Sequence, residues 1–571
     1  MSSLAPRRLS LLLAAMLLAS GCQKAAEPVQ VTVAALNDFH GNLLASPFQY
    51  PDANAPDGQV KLKAGGLGAL SGALAELRKE DPQLLLIGAG DMVGGSPPIS
   101  SMWADEPSLK ALDLLGLKFS VVGNHELDHG KGELLRQIDG GCQSDRADKA
   151  CQFDKAFKGA GFPYISANLI DKQSGKPLFA GYRIEQAHGA KIAFVGSTLR
   201  TVANYVSAKS MGDLYTVDEA EAINALLPEL RAQKVDAIVA VIHQGGATPE
   251  RFDQQDCSQL SGDVVEVAKR LDPQIKVVVT AHTHEGYLCR LGDKLVTQGA
   301  SFGRLLTRLT LTVDTDKHQL LDVKASNLVI DAQRYSASAE VAPLLADVQS
   351  RSQALLGKPI ARLAAREVLR ATNEAGESAM GDLIADSQLA ATRALGAQVA
   401  LMNQGGMRMD ITLDQGQEQV NYGQVATVQP FNNSLTLLTL SGAQLRELLE
   451  QQWQDGGMGF YPLQPSSSLT YRFDDSRPKG QRVLADSLMV DGQLVQPEQD
   501  YRIVMNSFLA EGGDNFTVLK QARDRLDTGI NDLESMIAWL QERDRAGQPV
   551  GFAEAQQRIR KVSSEVATNA P

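Results

Sequence analysis

Six short apolar runs constrain this chain of 571 residues more than any other feature, because several of them end in side chains able to hold a cation. The runs cover residues 31–36, 84–87, 119–122, 192–195, 237–242 and 277–279. They are continuous rather than alternating with polar residues, so each reads as a strand buried on both faces. Between them, residues 67–77 and 220–230 place apolar side chains at helical spacing. The expected fold class is α/β, a layered sandwich of sheet and helices.

The ends of these runs carry the chemistry. Asn37-Asp38-Phe39-His40-Gly41 follows the first, Gly90-Asp91 the second and Gly123-Asn124-His125-Glu126-Leu127-Asp128 the third, while His243 and His282-Thr283-His284 follow later ones. Ligands of an open α/β sheet collect beyond the carboxyl ends of its strands, so residues this far apart in sequence can meet there. Carboxylate, imidazole and amide oxygen together suit zinc, manganese or iron. A single histidine at a strand end is usually a hydrogen-bonded structural residue, and a single Gly-Asp is usually a turn. Five pieces in this order, each after a strand, reverse that reading.

The order Asp-x-His, Gly-Asp, Gly-Asn-His-Glu, His, His-x-His resembles the calcineurin-like metallophosphoesterase superfamily. The resemblance implies a centre of two divalent ions, zinc, manganese or similar. Asp38, His40, Asp91 and His284 would hold one ion, and Asp91 would be shared with Asn124, His243 and His282 on the other. Two ions about 3.5–4 Å apart lower the pKa of a water and neutralise phosphate oxygens together. The resemblance also makes His125, oriented by Asp128, a catalytic dyad that stabilises phosphoryl charge or assists the leaving oxygen. Glu126 and His129 receive no role. His284 stands where some members of the nucleotidase branch have glutamine.

A boundary falls between residues 334 and 360. Val341, Leu344, Leu345, Val348, Leu355 and Leu356 keep helical spacing, Gly357 is a stop signal and Pro359 prevents continuation, so residues 334–359 read as one connecting helix. The metallophosphoesterase domain is assigned to residues 30–333, a smaller mixed α/β substrate-binding domain to 360–562 and a polar tail to 563–571. All eight histidines and all five cysteines precede the connecting helix.

In the second half, Asn403-Gln404-Gly405-Gly406-Met407-Arg408 resembles the Asn-x-Gly-Gly-x-Arg motif of the 5'-nucleotidase C-terminal domain. Gln429-Pro430-Phe431-Asn432-Asn433 and Phe508-Leu509-Ala510-Glu511-Gly512-Gly513-Asp514 resemble its two aromatic segments, in family order. The resemblance as a whole is to secreted 5'-nucleotidases and UDP-sugar hydrolases. It implies that Asn403 and Arg408 bind substrate, Arg408 as a planar fork for phosphate oxygens. Phe431 and Phe508 would sandwich a nucleobase, at about 1–3 kcal/mol per stacked base. Asp514 would accept hydrogen bonds from ribose, and Asn433 would meet the base edge. Arg366 and Arg370 stand near where the family carries further arginines, ahead of Met380-Gly381-Asp382-Leu383-Ile384, and Arg370 is taken as a second phosphate ligand.

At the amino end, Arg7 and Arg8 precede an apolar stretch over residues 9–19 and then Ser20-Gly21-Cys22, a secretory signal pattern over residues 1–21. Eleven residues at about 1.5 Å each are too short to cross about 30 Å of hydrocarbon. Leu18-Ala19-Ser20-Gly21-Cys22 resembles a bacterial lipobox, with Ala19 where leucine is usual. It implies a lipid-modified Cys22, a tether over residues 22–29 and attachment to a membrane, with Gln23 favouring the outer one. The other four cysteines can pair in three ways. Cys142 and Cys151 flank a short polar loop, and Cys257 and Cys289 bracket a helix and a strand, so two local disulfides in an oxidising compartment are expected, against four buried thiols. The net charge of −12 excludes general attraction to nucleic acid or anionic lipid.

The expected activity is that of an exported, metal-dependent 5'-nucleotidase acting on nucleoside monophosphates, with UDP-sugars and other nucleotides as further candidates and no nucleic acid polymer as partner. The alternatives are a 2',3'-cyclic-nucleotide phosphodiesterase with 3'-nucleotidase activity and a nucleotide-binding lipoprotein without chemistry.

Overall fold

The apolar runs become β1 (Val29–Leu36), β2 (Leu85–Gly88), β3 (Leu117–Val121), β4 (Ala190–Thr198), β5 (Ala237–His243) and β6 (Val277–Thr280), with helix α1 (Gly66–Glu80) between the first two. The computed structural model describes residues 27–52, 55, 58–454 and 459–562, so the signal segment, Cys22, most of the tether and the tail lie outside the described residues. Among the described residues no helix is long and apolar enough to cross a membrane.

Two six-stranded sheets face each other. One runs Gln319–Val329, Leu305–Asp314, β1, β2, β3, Tyr164–Ile165, and the other Gly286–Leu291, Lys294–Gly299, β6, β5, β4, Tyr182–Ala187. β1, β2 and β3 are parallel, as are β4, β5 and β6, while antiparallel strands extend each sheet. Alternate residues of each strand face opposite ways. Val31, Val33, Ile87 and Phe119 meet Ile192, Phe194, Val239 and Val277 between the sheets. Ala34, Leu36 and Leu86 face outward to Leu67, Leu70 and Leu74 of α1. Ala193, Val195, Ile238 and Ile242 likewise meet Ile223, Leu230, Val264 and Val267 on the far side. A sheet on one face and helices on the other explain why the runs are apolar throughout; each such side chain contributes about 1.5–3 kcal/mol by burial.

The single helix expected over 220–230 is two, Glu219–Ala225 and Leu227–Ala232. Pro228 has no N–H to carry the ladder across the junction, and the Leu226 N–H turns to the Ile223 carbonyl instead. The connecting helix is shorter than 334–359: it spans Ala342–Leu356, with Pro343 in its first turn. Trp103 of the first domain donates to Ser352 in this helix at 3.1 Å, and Leu344 and Val348 are buried in the same core as α1. Cys142 pairs with Cys151 and Cys257 with Cys289, as expected.

The second half is built on a five-stranded sheet in the order Gln464–Pro465, Val399–Met402, Asp500–Asn506, Ser434–Ser441, Arg523–Asn531. Val399–Met402 and Asp500–Asn506 run parallel, so Asn403 and Phe508 leave the sheet at the same edge. Ser434–Ser441 is antiparallel to Asp500–Asn506, with Leu435 opposite Asn506, so Phe431 enters at that edge too. Topology alone therefore gathers the three motifs of this half.

Candidate metal centre

The seven residues expected to hold metal come together where the two sheets of the first domain meet. Backbone bonds join the loops after β1 and β2: the Asp38 N–H donates to the Gly90 carbonyl at 3.1 Å and the His40 N–H to the Asp91 carbonyl at 2.9 Å. From the other sheet, the His282 N–H reaches the Asp38 carboxylate at 3.0 Å. Asp38, His40, Asp91, His282 and His284 all have positive φ, between 46° and 75°. Side-chain-bearing residues seldom adopt this backbone, and clusters of it mark sites where geometry outranks stability. Close approach also explains two glycines. A Cβ on Gly90 would collide with the His243 ring, and one on Gly123 with the Asp91 carboxylate.

The side chains form two groups, linked by a third in which His40 and Asp91 meet His125. Asp38, His40 and His284 form one group, and Asp91, His243 and His282 another, with ligand atoms within 4.8 Å of one another in each. His40 Nε2 lies 3.1 Å from His284 Nε2 and 3.6 Å from Asp91 Oδ2. His243 Nε2 lies 3.2 Å from the same Asp91 oxygen, and Asn124 Oδ1 stands 3.1 Å from His243 Nε2 and 2.9 Å from His282 Nδ1.

The donor set fits a cation. His40 Nδ1 faces the Gly94 carbonyl at 2.7 Å, and His243 Nδ1 faces the Ala89 carbonyl at 2.9 Å. A carbonyl only accepts, so each Nδ1 carries a proton, and His40 Nε2 turns a lone pair toward Asp91. For His243 burial lowers the pKa, but Asp91 and Asp38 outweigh it and raise it to about 9, so a cation must displace a proton from its Nε2. Lone pairs and carboxylates aimed at common points repel one another unless positive charge lies between them. Burial pushes the imidazoles of His40 and His284 well below their usual range and that of His282 to about 3, which keeps all three in the neutral, ligating form. Burial raises the Asp38 carboxyl to about 7. For Asp91 burial acts in the same sense, but His243, His125 and His40 outweigh it and hold the carboxyl well below the usual range. Of the two carboxylates, the one that faces both His40 and His243 is thus the more firmly ionised.

Glu126, given no role by the sequence, ties the ligand loops together. It is only 3% exposed and accepts the N–H groups of Asp91 at 2.9 Å, Met92 at 2.7 Å and Gly123 at 2.7 Å. Its place inside the Gly-Asn-His-Glu motif was the one signal that could have found it. His129 is exposed just before the helix Gly130–Asp139. Beside the cluster, His125 Nδ1 meets both Asp128 oxygens at 3.0 Å, and the His125 N–H donates to Asp91 Oδ1 at 2.9 Å. Burial would lower the His125 pKa, but Asp128 and Asp91 raise it overall.

The second domain closes over this centre. Phe431 stacks on the His125 ring at 5.5 Å and 16°, and Arg408 lies 5.5 Å above the same phenylalanine while its Nη2 reaches His40 Nε2 at 3.2 Å. Asn403 donates to Asp514 Oδ2 at 2.6 Å, and burial lifts the Asp514 carboxyl to about 6. Phe508 packs on Gly513, where an added Cβ would fall 2.5 Å from its ring. The other two residues brace their neighbours. Asn433 accepts from Ser507 Oγ at 3.3 Å and donates to Asp532 at 3.4 Å, whereas exposed Arg370 donates through Nη1 to the Arg408 carbonyl at 2.9 Å.

Comparison with known proteins relates the two halves of the chain to two known families. Residues 31–286 match the calcineurin-like phosphoesterase family and residues 359–521 the 5'-nucleotidase C-terminal domain. Endonuclease YhcR of Bacillus subtilis (strain 168) is 28% identical over 527 residues, covering 92% of this chain; the chain spans 40% of that protein's length. The cell wall protein Lmo0130 of Listeria monocytogenes is 28% identical over 567 residues, covering 95% of this chain and 71% of that protein. Among solved structures, the 5'-nucleotidase precursor from Thermus thermophilus superposes with a TM-score of 0.75 at 25% identity, covering 95% of this chain and all of that one.

Proposed function

Since the chain belongs to the family that joins a calcineurin-like phosphoesterase domain to a 5'-nucleotidase C-terminal domain, we propose that it is an exported, metal-dependent 5'-nucleotidase that splits nucleoside 5'-monophosphates into nucleoside and phosphate. The observation that carries this reading is the stacking of Phe431 on His125, which sets an aromatic base platform against the proposed catalytic dyad. Asp38, His40, Asp91 and His284 would hold one divalent ion, and Asp91, Asn124, His243 and His282 a second. When bound, such a pair supplies an activated water near neutral pH and charge against the phosphate oxygens.

The chain's own groups do the rest. Arg408 offers its planar fork to the phosphate, Phe431 and Phe508 stack on the base, and Asp514 accepts from the ribose hydroxyls. His125, held by Asp128, carries a proton at Nε2 for the leaving oxygen as the bond from phosphorus to that oxygen breaks. The signal segment and two disulfides support export, and the lipobox supports a lipid on Cys22.

The test is phosphate release from 5'-AMP, 3'-AMP and 2',3'-cyclic AMP, with and without a chelator. Turnover of 5'-AMP should be fastest and should stop on chelation. Preference for the cyclic or 3' substrate would establish the phosphodiesterase alternative, and negligible release from metal-replete protein would establish the binding-only one. Two variants sharpen it. Phe431→Ala should raise KM for 5'-AMP by about 5- to 100-fold, the loss of one stacked base face, with a smaller change in kcat. His125→Ala should lower kcat by about 10²–10⁴-fold, the usual worth of a general acid, at unchanged metal content.

A further inference from the structure

The loop that follows β4 touches each working part of the site. Tyr205, just after the turn Val202–Asn204, packs edge-on against His282 with ring centroids 4.6 Å apart at 75°. Five residues further on, Ser210 Oγ donates to the Asp128 carbonyl at 2.8 Å. Between them, the Ala208 N–H donates across the domain boundary to Glu511 at 3.4 Å, in the aromatic segment that ends in Asp514. The turn Val202–Asn204 packs against the turn Gly513–Asn515 that carries Asp514, and a Cβ placed on Gly405 would lie 3.0 Å from the Tyr461 hydroxyl and 3.6 Å from Asp514 Oδ2. The two phenols, one from each domain, therefore stand around one carboxylate.

That carboxylate needs help to bind a sugar diol. Ionised Asp514 can only accept, and one of its oxygens is already taken by Asn403. A ribose hydroxyl that donates to Asp514 still has lone pairs to satisfy, and a phenol can donate to them where a carboxylate cannot. We propose that Tyr205 is a specificity-determining residue, its phenol joining Tyr461 and Asp514 around the ribose of the substrate when the domains close. The proposal deepens the nucleotidase reading and rests on it. A site built to pair a hydroxyl discriminates against the analogue that lacks it, so Tyr205 is assigned the preference for ribo- over 2'-deoxyribonucleotides.

The experiment compares wild type with Tyr205→Phe on 5'-AMP, 2'-deoxy-5'-AMP and p-nitrophenyl phosphate, with metal content measured on both proteins. The expected result is a fall in kcat/KM for 5'-AMP of roughly three- to tenfold, the worth of one uncharged hydrogen bond, carried mainly by KM. The deoxynucleotide, the phenyl ester and the metal content should not change. An equal fall on all three substrates would show that Tyr205 only props His282, and an unchanged value for 5'-AMP would show that it makes no sugar contact; either overturns the proposal while wild type remains a nucleotidase. Wild type that hydrolyses p-nitrophenyl phosphate but not 5'-AMP would overturn the nucleotidase reading itself, and this proposal with it.

Discussion

Asp91→Asn is expected to lower kcat/KM for 5'-AMP by about a thousandfold or more, since metal assistance is worth several kcal/mol and each 1.36 kcal/mol is a factor of ten. Asp91 groups with His243 and His282 and, separately, with His40 and His125, one of its oxygens facing His40 at 3.6 Å and His243 at 3.2 Å. An amide of the same shape removes the negative charge that draws cations to both points, and it can turn an NH2 toward imidazole lone pairs. The other oxygen accepts the His125 N–H at 2.9 Å, so the dyad loses an anchor as well. Phosphate release and metal analysis on the same preparation check this. Activity within tenfold of wild type would mean that Asp91 bridges nothing.

Glu126→Gln is expected to have the second-largest effect, although this residue touches neither substrate nor metal. Its carboxylate accepts N–H groups from the Asp91 loop and from Gly123. Glutamine keeps one accepting oxygen and places an NH2 where the other stood, facing a backbone donor in a site that is only 3% exposed. One or two unsatisfied buried donors cost about 1–3 kcal/mol each, so unfolding free energy should drop by about 2–5 kcal/mol. The two loops that carry Asp91 and Asn124 would then separate, and kcat/KM should fall by about a hundredfold, since misplacement of about 1 Å is enough for that. Thermal denaturation together with a metal titration measures both parts. A variant as stable and as active as wild type would remove Glu126 from its bracing role.

The contrast between these two residues shows what could be read from the sequence. Asp91 was legible because a carboxylate after a buried run, in company with Asp38, His40 and His243, is seldom anything but a cation ligand. Glu126 stood in the same motif, but nothing in sequence tells a carboxylate that binds a cation from one that binds peptide N–H groups. The strands were legible because burial on both faces leaves an unbroken apolar run, as in Val31 to Leu36. Their division between two sheets was not, since Ile192 and Val33 are equally apolar and only tertiary packing sets them on opposing layers. The positive φ of Asp38, His40 and His282 runs against local propensity and is imposed by the loops they sit in. In the second half, Arg408 and Phe431 were placed by motif. The turning of Arg370 onto the Arg408 carbonyl and of Asn433 toward Asp532 depended on neighbours distant in sequence.

The most direct measurement is the metal content of the purified protein, before and after chelation, set beside its rate on 5'-AMP. Close to two divalent ions per chain are expected, with loss of turnover as they are stripped and recovery when zinc or manganese is returned. Protein that carries far less than one ion per chain and keeps its full rate in chelator would contradict it.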